Sequence, residues 1–141
     1  MEDRQQNKID TLRAISDARR GPAADELATA PLLNPWRLEY FQSLRIHGRC
    51  EGHPFIDYPF VTTSPLIDFD PDAGWARTRS RWYRIGPDWQ TDPEESPEEM
   101  AEAVRTLRAQ LAQQMDRLEA GLTQPERLIE PRRKTPQSLD L

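Results

Sequence analysis

A chain of 141 residues has room for one small domain with appendages, and an apolar content of 36% limits it to a modest core. Thirteen prolines and a mean hydropathy of −0.84 imply long solvated or irregular stretches. A single cysteine excludes an intrachain disulfide framework, no apolar run approaches the roughly 20 residues of a membrane span, and a net charge of −5 weighs against non-specific nucleic-acid binding.

The opening MEDRQQNKID carries no hydrophobic signal core, so a cytoplasmic protein with no membrane partner is the expectation. Residues 4–20 read as a helix, with Ile9, Leu12 and Ile15 on one stripe and Gly21 as its stop. Residues 22–30 read as a short helix opened by Pro22 and halted by Pro31. The period then changes. From Trp36 to Ile46 the even positions are mostly apolar and the odd ones mostly charged, which predicts a half-buried strand over 36–47. Gly48, Gly52 and His53-Pro54 mark turns. A second strand is expected over 60–69, with Val61, Thr63, Ile67 and Phe69 on one face and Pro65 at an edge or bulge.

Asp70–Gly74 is turn chemistry and leads into GWARTRSRWYRIG, Gly74–Gly86. As one strand over 75–85, it puts Trp75, Arg77, Arg79, Arg81 and Tyr83 on one face and Ala76, Thr78, Ser80, Trp82 and Arg84 on the other. Three guanidiniums flanked by two aromatics suit a flat anionic or π-rich partner. The competing reading is a solvated strand face whose arginines pair with Asp68, Asp70 or the seven acids of residues 86–102.

Ser96-Pro97-Glu98-Glu99 is a capping box with a first-turn proline. Met100, Val104, Leu107, Leu111, Met115, Leu118 and Leu122 follow at spacings of four and three, predicting a helix over 97–121. At about 37 Å it is longer than a small sheet needs, so its stripe serves either sheet packing or a homo-oligomer seam. The proline-bearing tail 123–141 is expected to be mobile.

His47, Cys50 and His53 have a spacing that suits zinc ligands, with Asp57 as the nearest fourth group. No second knuckle exists to close such a site, and a buried thiol beside two loop histidines is the favoured reading. No phosphate-binding, dinucleotide-binding or serine-hydrolase motif is present, and no catalytic residue or cofactor is assigned.

Ala30-Pro31-Leu32-Leu33 with Trp36, Gly52-His53-Pro54, Thr63-Ser64 and the Gly74–Gly86 box together resemble a family of small uncharacterised bacterial proteins. The resemblance spans residues 22–86, and its specific element is a GWARTxSRWYRLG box, from which this chain departs at Arg79 and Ile85. It implies an accessory protein of mobile elements such as phages or plasmids, and brings no established activity.

The expectation is therefore an α+β fold with N-terminal helices, an antiparallel sheet of about three strands (36–47, 60–69, 75–85) and a long C-terminal helix. It divides into a helix at 1–21, a core at 22–89, an acidic linker and helix at 90–122, and the tail. The function expected is non-enzymatic. Trp75, Arg77, Arg79, Arg81 and Tyr83 would meet a protein or ribonucleoprotein, or alternatively bind nucleic acid directly.

Overall fold

The computed structural model describes residues 2–55, 59–90 and 94–123. In chain order they form α1 (Glu2–Arg20), α2 (Ala24–Ala28), β1 (Leu32–Phe41), β2 (Ser43–Glu51), β3 (Phe60–Thr62), β4 (Leu66–Asp70), β5 (Trp75–Thr78), β6 (Trp82–Ile85) and α3 (Pro97–Leu122). The fold is α+β with the expected flanking helices, but the sheet has six strands rather than about three. Each expected strand is a pair.

The reasons are local. Between β1 and β2 the chain reverses at Gln42, whose φ of 63° lies in the left-handed region. A turn centred on an even position pairs even with even, as in Leu38 opposite Ile46 and Tyr40 opposite Leu44. The alternation therefore runs through the turn unbroken and conceals it. Pro65, which has no N–H to give a ladder, separates β3 from β4. A bulge between Leu66 and Asp68 then sends Ile67 and Phe69 to different clusters rather than one face. β5 stops at Thr78, whose Oγ1 accepts from the Ser80 and Arg81 N–H groups at 3.3 Å each.

The strand order is β3-β2-β1-β6-β5-β4, antiparallel throughout except for β1 beside β6. That parallel seam pairs Leu32 with Arg84 and Leu33 with Ile85. Beyond it, Trp36 N–H donates to the Asp88 carbonyl (3.1 Å) and Gln90 N–H to the Trp36 carbonyl (2.8 Å). The main cluster joins Leu33, Trp36 and Ile46 of one half to Phe69, Tyr83 and Ile85 of the other. Trp36 is its pivot: its indole stacks on Trp89 at 4.9 Å, meets Phe69 edge-on at 6.2 Å and donates to the Gly86 carbonyl at 2.9 Å. At Gly48 the β1 backbone comes close, so a Cβ would sit 2.5 Å from the Pro35 carbonyl oxygen.

α3 begins as its capping box dictates, with Ser96 Oγ accepting from Glu99 N (3.1 Å) and Glu99 Oε1 from Ser96 N (2.8 Å). Its stripe is used within the chain. Leu111 joins the main cluster, and Met115 packs with Ala14, Ile15 and Ala18 of α1 and Ile67 of β4. Among the described residues no helix is long and apolar enough to cross a membrane. The tail expected to be mobile lies, from residue 124, outside the described residues.

Two substitutions test this packing by urea denaturation. Leu111→Ala is expected to cost about 2–4 kcal/mol through the cavity it leaves. Gly48→Ala is expected to destabilise by about 1–3 kcal/mol, because the new methyl displaces the backbone at Pro35.

Candidate interaction surface

The basic strip is not a surface. With the chain reversing after Thr78, Trp75 lies opposite Arg84 and Arg77 opposite Trp82, while Ala76 lies opposite Tyr83. Trp75, Arg77, Trp82 and Arg84 therefore share one face and Tyr83 belongs to the other, which corrects the single-face expectation. Trp75, Arg77 and Tyr83 are only 8%, 5% and 4% exposed. Arg79 and Arg81 sit half-buried in the turn between the strands.

The buried face holds a chain of two indoles flanked at each end by a guanidinium. Asp17 of α1 pairs with Arg77 at 3.0 Å, and Arg77 Cζ lies 5.6 Å above the Trp82 ring. Trp82 meets Trp75 edge-on at 5.6 Å, and Arg108 of α3 lies 5.7 Å above Trp75. Arg108 closes the chain on Asp68 (3.2 Å) and Asp70 (3.4 Å) of β4. Thus Asp68 and Asp70 do pair with an arginine, though one from α3. Desolvation pulls Arg77 below the usual arginine range against the opposing pull of Asp17, whereas the hydrogen bond that Arg108 donates to Asp68 raises Arg108.

His47, Cys50 and His53 do not converge. Three residues apart on β2, His47 and Cys50 point to opposite faces. The His47 ring lies parallel to Phe60 at 6.2 Å, with Nδ1 2.9 Å from Thr62 Oγ1. Cys50 packs against the main cluster, and burial pushes its thiol up. His53, past Gly52, accepts at Nδ1 from the Phe55 N–H (3.1 Å) and lies 6.2 Å from the Tyr83 ring. Burial, and then the Arg81 charge, lower its imidazole. Asp57 lies outside the described residues, among which no group of three or more His, Cys, Asp or Glu side chains is placed to hold a metal.

What is exposed is the other half of the sheet. α1 and α3 pack on β4 and α1 also on β5, while α2 packs on β6. On β1–β2–β3 the side opposite the core presents Arg37, Glu39, Arg45, His47, Arg49, Phe60 and Thr62. Tyr40 at the hairpin end is 80% exposed, Phe55 in the following loop 81%, and Phe60 52%. Among the described residues, the only other exposed large apolar side chain is Ile9 on α1. The Arg81 guanidinium lies 5.3 Å over Phe55. Sequence reasoning missed Tyr40, Phe55 and Phe60 as surface groups, since Tyr40 fits the apolar alternation and the phenylalanines look like core.

A model of a family of unknown function (DUF6634) matches residues 3–124. The match runs from α1 through α3, well past the 22–86 that the motifs alone covered. Neither the curated proteins nor the solved structures provide a match.

Asp17→Ala strands the Arg77 charge and is expected to cost about 2–3 kcal/mol in urea denaturation. Burial lifts the Tyr83 phenol to about 12 from an ordinary 10, so the fold favours its neutral form. Its contribution is complete below the ordinary value and lost as pH rises through about 12. Over that window the native chain should lose ~2 kcal/mol relative to Tyr83→Phe, and ultraviolet difference spectra should show one phenol ionising late.

Proposed function

The chain belongs to this family of unknown function, DUF6634, and we propose that it is a non-enzymatic module that binds a protein or ribonucleoprotein through its uncovered half-sheet. The observation that carries the reading is Phe60, 52% exposed on the face of β1–β2–β3 opposite the core, where it lies parallel to His47 among Arg37, Glu39 and Arg49. An exposed aromatic ringed by polar residues on an otherwise uncovered face is characteristic of contact surfaces. As an accessory protein of a mobile element, the module would bind or inhibit a host complex in this way.

Direct nucleic-acid binding is the second reading, favoured by the parallel His47–Phe60 pair with Arg49 opposite Phe60 in the ladder. Against it, the same face carries Glu39, which holds Arg37 at 2.6 Å. The chain's net charge of −5 also suits a protein partner better than a phosphate backbone.

Affinity capture from host extract with the full chain should retain a partner that Phe55→Ala/Phe60→Ala loses. Both side chains are exposed, so the variant's stability should stay within about 0.5 kcal/mol of the parent. Labelled RNA and DNA in a salt series provide the opposing test. Steeply salt-dependent binding, abolished by Arg37→Ala/Arg49→Ala, would replace the protein reading with the nucleic-acid one.

A further inference from the structure

Next to the uncovered half-sheet is a groove of about 260 Å³, formed by α2, the residues leading into β1, the loop after β2 and the turn into β6. Glu26, Thr29, Pro31, Pro54, Arg81 and Trp82 line it. Sites for drug-sized ligands run to roughly 300–1,000 Å³, so this groove suits one side chain rather than a cofactor.

Its two charged residues are not equivalent. The Glu26 carboxylate is already engaged, by Arg20 at 3.0 and 3.3 Å and by the Ala23 N–H at 2.9 Å. Arg81 has no carboxylate within ion-pair distance among the described residues, and its contact is the Phe55 ring. Its charge reaches its neighbours: it lowers the His53 imidazole and opposes the effect of burial on Cys50 and Tyr83. Among the described residues the groove thus presents one guanidinium without a carboxylate partner, beside apolar walls of indole and proline.

Resting on the protein-binding reading, we propose that this groove is the module's anchoring pocket, taking an aspartate or glutamate side chain of an extended partner segment. Arg81 is the counter-ion, and Trp82, Pro31 and Pro54 contact the carbons on either side. A single guanidinium across from Glu26 matches a monoanion better than a phosphate dianion. Proline-flanked segments suit the walls because their extended conformation is set before binding.

The test titrates the blocked peptide acetyl-Pro-Glu-Pro-amide onto the ¹⁵N-labelled full chain. Saturable shifts are expected at Thr29, Ala30, the Arg81 side chain and the Trp82 indole. Acetyl-Pro-Gln-Pro-amide should bind about tenfold more weakly, since it loses the charge-assisted bond. Arg81→Gln, half-buried in a turn, should remove that preference with its urea midpoint unchanged, while Phe60→Ala should leave peptide binding as it was. Equal binding of the two peptides, a preference that survives Arg81→Gln, or no shift at these positions would overturn the pocket. So would tighter binding of the phosphoserine analogue or of acetyl-Pro-Gln-Pro with a free carboxylate. If the groove is silent while Phe55→Ala/Phe60→Ala still abolishes capture, the pocket fails and the binding module stands.

Discussion

The architecture depends on a buried guanidinium. Arg77 lies under α1, where an unpaired charge would cost several kcal/mol, so the helix that covers it must also supply Asp17. Its other face rests on Trp82, and through Trp75 the same chain of contacts continues to Arg108 and α3. One chain of contacts, two indoles flanked by guanidiniums, therefore ties both long helices to the same three strands. The outer bridges from Arg19 to Asp116 and Glu119 also join α1 to α3, but they are exposed, and such pairs contribute about 1 kcal/mol at most.

The helices pack chiefly on β4, β5 and β6, and α3 also reaches the core face of β1, β2 and β3 through Leu111, so the opposite face of those three strands is left without helical cover. Trp36 makes this possible by reaching from β1 to Phe69, Trp89 and the Gly86 carbonyl. One half of the sheet is thus scaffold, and the other exposes Phe60 among polar side chains. The Arg81 turn lies where the two meet, because it leaves the buried hairpin and reaches Phe55 of the exposed loop.

Much of the chain's local grammar was legible. The capping box at Ser96, the stop at Gly21 and the turn before Gly74 each follow from residues a few positions apart. What the sequence concealed was reversal. A turn at Gln42 preserves alternation, so β1 and β2 read as one strand, and the break after Thr78 turns the five-residue strip into parts of two faces. The choice of Asp17 as the Arg77 partner was beyond local reading, since the residues are joined only by packing of α1 on β5. Exposure of Phe55 and Phe60 was hidden for the opposite reason: phenylalanine in a proline-rich stretch carries no periodic signal of where it points.

The parallel seam also orders events during synthesis. β1 emerges early, but its partner at Leu32 and Leu33 is β6, the last strand made. Until then a nascent chain can pair β1 with β2, yet the pairing leaves Leu33, Trp36 and Ile46 without the strands and helix that bury them. On the ribosome, the aromatic centre of the finished protein is a sticky, half-built surface, and the interval before the Gly74–Gly86 box and α3 emerge is when the chain is most exposed to aggregation and to chaperones.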